Sequence, residues 1–300
     1  MSAPLQYTVP PEDAGHRLRH ILYSRLGLSW ALIQRVREND RVRLNGEPVY
    51  LTQLAQPGDI ITVEIDFEEE SSIAAERMEL DIIHEDQDFL VLNKPAGVLM
   101  HPVGQERSGT LANGVVYYWQ SQGARAKFRP IHRLDRNTSG LVLVGKNQFV
   151  HQSLYKQFNH HSVEREYLAL VEGEIAREGG RIDAPIGRKP DSIMEREVSE
   201  DGQSAITSYR VLERLGKVTL VSLHLETGRT HQIRVHMSYL GHPLLGDTLY
   251  GGSDALISRQ ALHSHRFRFV NPRSGSPVEF RADLAPDLKQ LIERLRANQV

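Results

Sequence analysis

Hydrophobic residues along the chain form short strand-like runs that alternate with stretches of helical spacing. Residues 141–144 are apolar at every position and lie between two glycines, which is typical of a buried strand. Residues 165–171 and 218–225 are also predicted strands, the first of them buried on both faces. Residues 149–158 and 286–295 are predicted helices, and in the second the apolar residues recur every three or four positions. The pattern predicts mixed helices and strands but leaves the pairing of the strands open.

The N-terminal part of the chain carries a smaller pattern of its own. Apolar residues at helical spacing predict two short helices, the second of them capped by Ser29. A strand then enters a tight turn at Asn45 and Gly46, and residues 58–65 read as a closing strand. Two short helices followed by a small group of strands are therefore expected here.

Charge is strongly polarised within this N-terminal part. Arginine is concentrated in residues 15–43, whereas residues 59–70 are acidic. The basic half is a candidate surface for nucleic-acid phosphates, with Arg35, Arg37 and Arg41 as candidate contacts. An ordinary solvated helix face is the alternative interpretation of the same pattern.

The composition changes sharply at residues 68–75, where three glutamates are followed by small residues. Like charges repel and small polar residues pack poorly, so this stretch is predicted to be a linker. The predicted organisation is an N-terminal domain at 1–66, a linker at 67–77 and a larger domain at 78–300.

The overall composition is that of a globular protein, with 40% hydrophobic and 25% charged residues. The sequence contains no apolar run near 18 residues and no secretory signal pattern, so a soluble, cytoplasmic protein without a membrane span is expected. There is no cysteine, which excludes disulfides and thiolate metal sites. The formal net charge of −2 is unusual for an RNA-binding protein, so any RNA site depends on local charge.

Candidate chemistry is concentrated in residues 130–146, where a charged turn directly precedes the apolar run described above. Asp135 lies between Arg133 and Arg136 in a segment rich in turn-forming residues. A carboxylate beside guanidiniums stays ionised, as a nucleophile must, and a loop held by a strand is a common mount for catalytic groups. The alternative is an aspartate that only caps its own turn or pairs with arginine.

Three segments in this order resemble the signature motifs of one known family. They are residues 132–140 (HRLDRNTSG), 164–171 (EREYLALV) and 228–236 (GRTHQIRVH). Together they are similar to the motifs of the RluA family of RNA pseudouridine synthases, and the resemblance extends over most of residues 78–300. The N-terminal part more weakly resembles the small S-four-like RNA-binding domain that is commonly fused to this family.

The resemblance implies the isomerisation of uridine within RNA, in which uracil leaves the sugar, turns and rejoins it through C5. It implies that Asp135 is the nucleophile and that Arg234 forms an ion pair with it. It also implies that Tyr167 stacks on uracil and abstracts a proton at the sugar, and that Arg133 helps to displace the base. The residues predicted to bind substrate are Arg133, Arg229, His231, Arg35, Arg37 and Arg41.

The implied fold is α/β (α+β), with a central mixed, largely antiparallel sheet, flanking helices and a small N-terminal α/β domain. RNA is the implied partner, most simply large-subunit ribosomal RNA, with transfer RNA as an alternative, and a monomer is expected. No cofactor is expected, because the sequence has no nucleotide-binding glycine loop. A non-catalytic RNA-binding or ribosome-assembly factor remains the competing class, and a glycosidase or phosphotransferase is a remote third.

Three further expectations concern the second half of the chain. No metal site is expected, because His231 and His236 are five residues apart and do not share a helix face. Residues 179–205 are predicted to be a long irregular excursion. Thr230 is predicted to cap the helix that carries Arg234.

Overall fold

The structure is a computed structural model that describes residues 3–160 and 162–298. Six α-helices and fifteen β-strands lie within these residues. The helices are α1 (Leu18–Ser24), α2 (Trp30–Glu38), α3 (Leu111–Ser121), α4 (Gln148–Asn159), α5 (Gln232–Tyr239) and α6 (Pro286–Ala297). The strands are β1 (Leu5–Thr8), β2 (Val42–Leu44), β3 (Glu47–Pro48), β4 (Ile60–Val63), β5 (Ile82–Glu85), β6 (Phe89–Lys94), β7 (Ser139–Gly145), β8 (Glu164–Glu172), β9 (Gly179–Asp183), β10 (Ile186–Arg188), β11 (Arg196–Val198), β12 (Ile206–Arg214), β13 (Val218–Leu225), β14 (Leu262–Val270) and β15 (Pro277–Arg281).

One large sheet organises the C-terminal two thirds of the chain. Its strand order is β5-β6-β7-β14-β8-β13-β12-β9, and β15 pairs with β14. The short pairing of β14 with β7 is parallel, and the other pairings described in this sheet are antiparallel. The predicted α/β fold with a central mixed, largely antiparallel sheet is confirmed.

Strand β7 is buried at every position and receives helices on both faces. Leu141 and Leu143 point to the cluster that contains α4, whereas Val142 and Val144 point to the cluster that contains α3. This alternation follows from the two-residue period of a strand. Helix α6 packs its apolar stripe on a third cluster around β8 and β13. The helices therefore fix the sheet from both sides and leave the loop before β7 at its edge.

Gly140 allows the close approach of β14 to this loop. Its φ is +109°, and a Cβ built there would lie 2.1 Å from the backbone oxygen of Ser264. Only glycine tolerates both the conformation and the contact. The start of β14 can therefore pair directly with the start of β7, next to Asp135.

The N-terminal unit contains α1, α2 and a four-stranded sheet of order β1-β4-β2-β3. Ser29 caps α2 by accepting a hydrogen bond from the Leu32 N–H, as predicted. The predicted hairpin turn at Asn45 and Gly46 joins β2 to β3. Residues 64–81 contain no helix or strand. The division into two domains and a linker remains a prediction, as does the kinship of this unit to an S-four-like domain.

The predicted linker is nevertheless packed on both neighbours. The Arg35 and Arg41 guanidiniums lie 3.9 and 4.3 Å from the centroid of the Phe67 ring. Glu69 pairs with Arg35 at 2.7 Å and also with Arg129 of the larger unit. The glutamate run is thus partly neutralised by arginines instead of being fully solvated.

Two local predictions were wrong. Residues 179–205 are not an irregular excursion, because β9 extends the main sheet beside β12 and β10 pairs with β11. Strand β9 was not predicted because it lacks an apolar pattern: Ile182 is its one buried residue, and its pairing rests on backbone hydrogen bonds. Thr230 does not cap α5: the N-cap is His231, at a φ of +58° and without a side-chain cap.

Across residues 3–160 and 162–298, the structure contains no helix with the length and apolarity needed to cross a membrane.

Candidate active site

A cleft of about 1100 Å³ opens between the loop before β7, the middle of β8 and the start of α5. Its walls include Asp135, Tyr167 and Arg234, one from each of the three motifs. Asp135 and Arg234 are 99 residues apart in the chain, yet they are in hydrogen-bond contact. The fold therefore assembles the three predicted catalytic residues in one place.

Lys94 holds the loop that carries Asp135. Its buried Nζ donates to the carbonyl oxygens of Pro95, Val98 and Arg136, each at 2.8 Å. These three acceptors use all three donors of an ammonium group. Burial lowers the pKa of Lys94 to about 7, and the nearby Asp135 charge opposes this shift. The loop is thus tied to the turn that follows β6.

Arg259 supports the same loop from the side of α6. Its Nε and Nη2 donate to the two oxygens of Asp287 at 2.7 and 2.8 Å. Its Nη1 donates to the Asn137 carbonyl oxygen at 3.0 Å. A bidentate pair fixes the plane of the guanidinium, so the remaining donor is aimed at the loop.

Arg234 bridges two carboxylates. Its Nε and Nη2 donate to Asp247 at 2.7 Å each, and its Nη1 donates to Asp135 at 3.2 Å. The Asp135 side chain is 29% exposed, whereas Asp247 is 1% exposed. Burial alone would lower the pKa of Arg234, but its bonds to Asp247 and the charges of both carboxylates raise it. The guanidinium therefore stays charged and is aimed at Asp135 by Asp247.

His231 approaches Asp135 from the N-terminus of α5. Its Nε2 lies 3.7 Å from Asp135 Oδ1, and its Nδ1 is hydrogen-bonded to the Tyr250 hydroxyl at 2.8 Å. The Tyr250 oxygen also accepts the Arg196 N–H. Burial lowers the pKa of His231, with Asp135 opposing the shift. The His231 ring is thus held by Tyr250 beside the Asp135 carboxylate.

Gln232 shapes the turn that presents these groups. Its Oε1 accepts hydrogen bonds from the Arg229 N–H and the Thr227 hydroxyl. Its Nε2 donates to the Ile206 carbonyl oxygen and to Thr207 Oγ1. The buried amide thus ties the turn before α5, including the Arg229 N–H, to the start of β12.

Tyr167 lines the cleft from β8 and is 6% exposed. Burial raises its pKa, and the charge of Arg165 opposes that shift. Arg165 donates from Nη2 to the carbonyl oxygens of Leu225 and Glu226, while its buried Nε has no partner among the described residues. Tyr167 is therefore a neutral phenol next to a buried cation.

The predicted substrate-binding residues fall into two groups. Arg133, Arg229 and His231 all line the cleft, and the first two are exposed. The second group, which lies on the N-terminal unit away from the lining of the cleft, consists of Arg35, Arg37 and Arg41. In that group Arg35 is paired with Glu69, Arg41 donates to the Asp66 carbonyl oxygen, and Arg37 is exposed.

The two histidines that follow His231 in this part of the chain have partners of their own. His236 bonds to Thr207 Oγ1 and the Ala184 carbonyl oxygen, and His242 bonds to the Glu172 carbonyl oxygen. No group of three or more His, Cys, Asp or Glu side chains suited to a metal occurs in the described part of the chain.

His132 is expected to make the protein acid-sensitive. Its ring stacks on Phe158, and its Nε2 accepts the Leu143 N–H at 3.3 Å. Burial, with a contribution from Arg165, lowers its pKa to about 3. The unfolded ring binds a proton below about pH 6.5 and the folded ring does not, so lowering the pH destabilises the fold.

Between pH 7 and pH 5, His132 should account for a loss of about 2 kcal/mol in the free energy of unfolding. Urea unfolding of the wild type and of His132→Asn at pH 7 and at pH 5 measures this loss of unfolding free energy. The variant should lose less stability than the wild type, because it lacks the contribution of His132. His160→Asn, which removes an exposed histidine, is the matched control. Equal losses in the wild type and His132→Asn would contradict the assignment.

Comparison with known proteins identifies the family. A family model described as RNA pseudouridylate synthase matches residues 88–239, just over half of the chain, including all three motifs. This chain belongs to the RNA pseudouridylate synthase family. Members of the family are isomerases that convert uridine in RNA to pseudouridine.

Relatives of this synthase match nearly its whole length. It is 44% identical over 270 residues to the uncharacterized RNA pseudouridine synthase YjbO of Bacillus subtilis, covering 89% of this chain and 95% of that protein. It is 38% identical over 276 residues to ribosomal large subunit pseudouridine synthase D of Haemophilus ducreyi, covering 87% of this chain and 85% of that protein. The structure of human RNA pseudouridylate synthase domain containing 1 aligns with a TM-score of 0.58 at 31% identity, covering 73% of this chain and 95% of that protein.

Two residues of the synthase site were not singled out from the sequence. Asp247 carried no prediction, and Arg165 entered only as part of the second motif. Both are buried beside predicted catalytic residues. The available signal for Arg165 was its position two residues before Tyr167 on one strand, which places both side chains on the same face.

Proposed function

We propose that this synthase isomerises specific uridines in structured RNA with Asp135 as the catalytic nucleophile. The observation that carries the proposal is the direct contact of a partly exposed Asp135 with the buried Arg234, in a cleft shared with Tyr167. Arg234 holds the carboxylate in place, and the opening of the cleft leaves it accessible to a ribose.

The reaction needs no external reagent, because uridine and pseudouridine are isomers. The bond between N1 of uracil and C1′ of the ribose breaks, and Asp135 either attacks the sugar or assists the departure of uracil. The uracil turns, C5 bonds to C1′, and the proton lost from C5 is balanced by one gained at N1. Bound RNA that covers the cleft would favour this sequence, because water would hydrolyse the sugar intermediate.

Tyr167 is proposed to stack on the uracil, to take a proton from the sugar as uracil departs and to return it to the sugar when C5 bonds to C1′. Burial raises the pKa of Tyr167, which disfavours a free phenolate, but Arg165 acts in the opposite direction. The base role therefore relies on Arg165 to stabilise negative charge on the phenol oxygen as the proton moves.

Arg133 is proposed to enter the space that the target base leaves. It is exposed at the cleft, and its charge also contributes to the lowered pKa of His101 on the same wall. Arg229 and His231 are proposed to contact the flipped nucleotide. Flipping costs a few kcal/mol and costs least in RNA loops.

Large-subunit ribosomal RNA is the proposed substrate, because relatives with that activity in their names align over most of this chain. Transfer RNA is the alternative. We also propose that residues 1–66 form an S-four-like RNA-binding domain, that 67–77 link it to the catalytic domain at 78–300, and that the protein acts as a cytoplasmic monomer.

The test is pseudouridine mapping of ribosomal and transfer RNA from cells that lack this gene. Specific pseudouridines should disappear, and the wild-type gene should restore them while Asp135→Asn should not. Sites lost from ribosomal RNA support the proposed substrate, and sites lost only from transfer RNA select the alternative. Restoration by Asp135→Asn would instead favour a non-catalytic RNA-binding or assembly factor.

A further inference from the structure

Two large aromatic rings stack on the outside of the N-terminal unit. The rings of Tyr23, on α1, and Trp30, at the start of α2, are 4.8 Å apart and inclined by 15°. They remain 48% and 53% exposed. Surface aromatics of this size are normally covered at least in part, so an exposed stacked pair suggests a partner that can use an aromatic face.

The aromatic surface continues along α1. The rings of His16 and His20 are 5.0 Å apart and inclined by 23°. His20 and Tyr23 are three residues apart on the helix, and such residues are neighbours on one helical face. We call the four side chains of His16, His20, Tyr23 and Trp30 the aromatic row.

The aromatic row lies in a basic part of the chain. Residues 16–43 contain seven arginines and two acidic residues, although the whole chain has a formal charge of −2. Arg25 is bound by Asp13, and Arg35 by Glu69. By contrast, the Arg17 and Arg19 side chains are exposed and have no hydrogen bond or ion pair to a described residue.

Arg19 is placed to act together with the aromatic row. It is four residues before Tyr23 on α1, so the two side chains share one helical face. Guanidiniums attract the phosphates of a nucleic acid, and the aromatic faces beside them can stack on its flat bases. A surface of this kind suits single-stranded nucleic acid, because every base offers a face for stacking.

We propose that the aromatic row stacks on unpaired bases of the RNA substrate, while Arg17 and Arg19 contact the adjoining phosphates. This inference rests on the proposed function for the identity of the nucleic acid. It places RNA binding on a surface different from the one predicted at Arg35 and Arg41, because the guanidiniums of these two residues contact the predicted linker. Single-stranded RNA is the expected ligand, because bases in a duplex already stack on one another.

The two tryptophans of the chain allow a direct measurement. Trp30 is exposed, whereas Trp119, on the buried side of α3, is 2% exposed. A base that stacks on Trp30 should quench its fluorescence and leave that of Trp119 unchanged. The experiment titrates the full-length protein with a single-stranded RNA oligonucleotide, with duplex RNA of equal charge and with heparin, a polyanion without bases.

Single-stranded RNA should quench the fluorescence more strongly than the duplex or heparin at equal saturation. Trp30→Phe should abolish the quenching yet retain binding in a filter assay, since phenylalanine still offers a ring. Tyr23→Ala combined with Trp30→Ala should weaken binding of the single strand by roughly 10- to 100-fold. Tyr50→Ala removes an 87% exposed ring from the same unit and should leave the affinity unchanged.

Equal quenching by heparin would overturn the proposal, because charge alone would then explain binding. Absence of quenching at saturating RNA would also overturn the proposal. So would quenching that followed the protein concentration and not the RNA concentration, because self-association would then cover Trp30. Asp135→Asn should be quenched like the wild type. Quenching without any isomerisation would refute the proposed function alone, whereas isomerisation without quenching would refute this proposal alone.

Discussion

Asp135→Asn should reduce the single-turnover rate of pseudouridine formation by about 10⁴-fold or more, the scale seen when a catalytic nucleophile is removed. Asparagine keeps the shape of the side chain but cannot act as an anionic nucleophile. The rate is measured by the release of tritium from uridine labelled at C5, because that hydrogen leaves the base during isomerisation.

Loss of Asp135 should leave the fold intact. Arg234 keeps both bonds to Asp247, so its buried charge is still compensated in the variant. Urea midpoint and RNA affinity should therefore stay close to those of the wild type. Glu106→Gln removes one negative charge from the exposed partner of Arg136 and serves as the control. A residual rate within tenfold of the wild type would exclude Asp135 as the nucleophile.

Asp247→Asn should cost both stability and rate. The variant leaves the buried Arg234 guanidinium without its bidentate partner, and breaking a buried ion pair costs about 3–5 kcal/mol of unfolding free energy. It also releases the constraint that aims Nη1 at Asp135, and a misplacement of about 1 Å can slow catalysis by roughly 10²-fold. Asp247 is not among the residues that line the cleft, so its expected effect on the rate is exerted through Arg234.

Asp88→Asn provides a matched control for this effect. Asp88 is 2% exposed and is bound by Arg273 through two contacts of 2.7 Å, so the buried pair has the same form. It precedes β6 at the end remote from Lys94. Both variants should lower the urea midpoint, but only Asp247→Asn should slow tritium release under single-turnover conditions. A comparable slowing in Asp88→Asn would mean that lost stability, and not the aim of Arg234, limits the rate.

Three buried cations surround the loop that carries Asp135. Arg234 and Arg259 are each balanced by a carboxylate of their own, whereas Lys94 binds three carbonyl oxygens. Their donors hold the loop at Arg136 and Asn137 as well as at Asp135 itself. These groups are fixed before substrate arrives, so the loop that carries Asp135, the proposed nucleophile, needs little reorganisation during the proposed reaction.

The elements that depend on local pattern were predictable from the sequence. Strands β7 and β8, helices α4 and α6 and the cap at Ser29 follow from apolar periodicity and capping chemistry within a few residues. The fold and the family also followed from three ordered motifs, and both are confirmed. The catalytic role of Asp135 remains a prediction, although the structure brings it to Arg234.

The remainder depended on contacts that local pattern does not encode. Strand β9 joins the sheet through backbone hydrogen bonds to β12, which require almost no apolar side chains. Glu69 looked like part of a solvated linker, yet its charge is taken up by Arg35 and Arg129. Asp247 reaches Arg234 from a loop, where no helical or strand spacing marks the pair. Periodicity reports which face of an element is buried, but the partner of a buried charge is chosen only when distant segments meet.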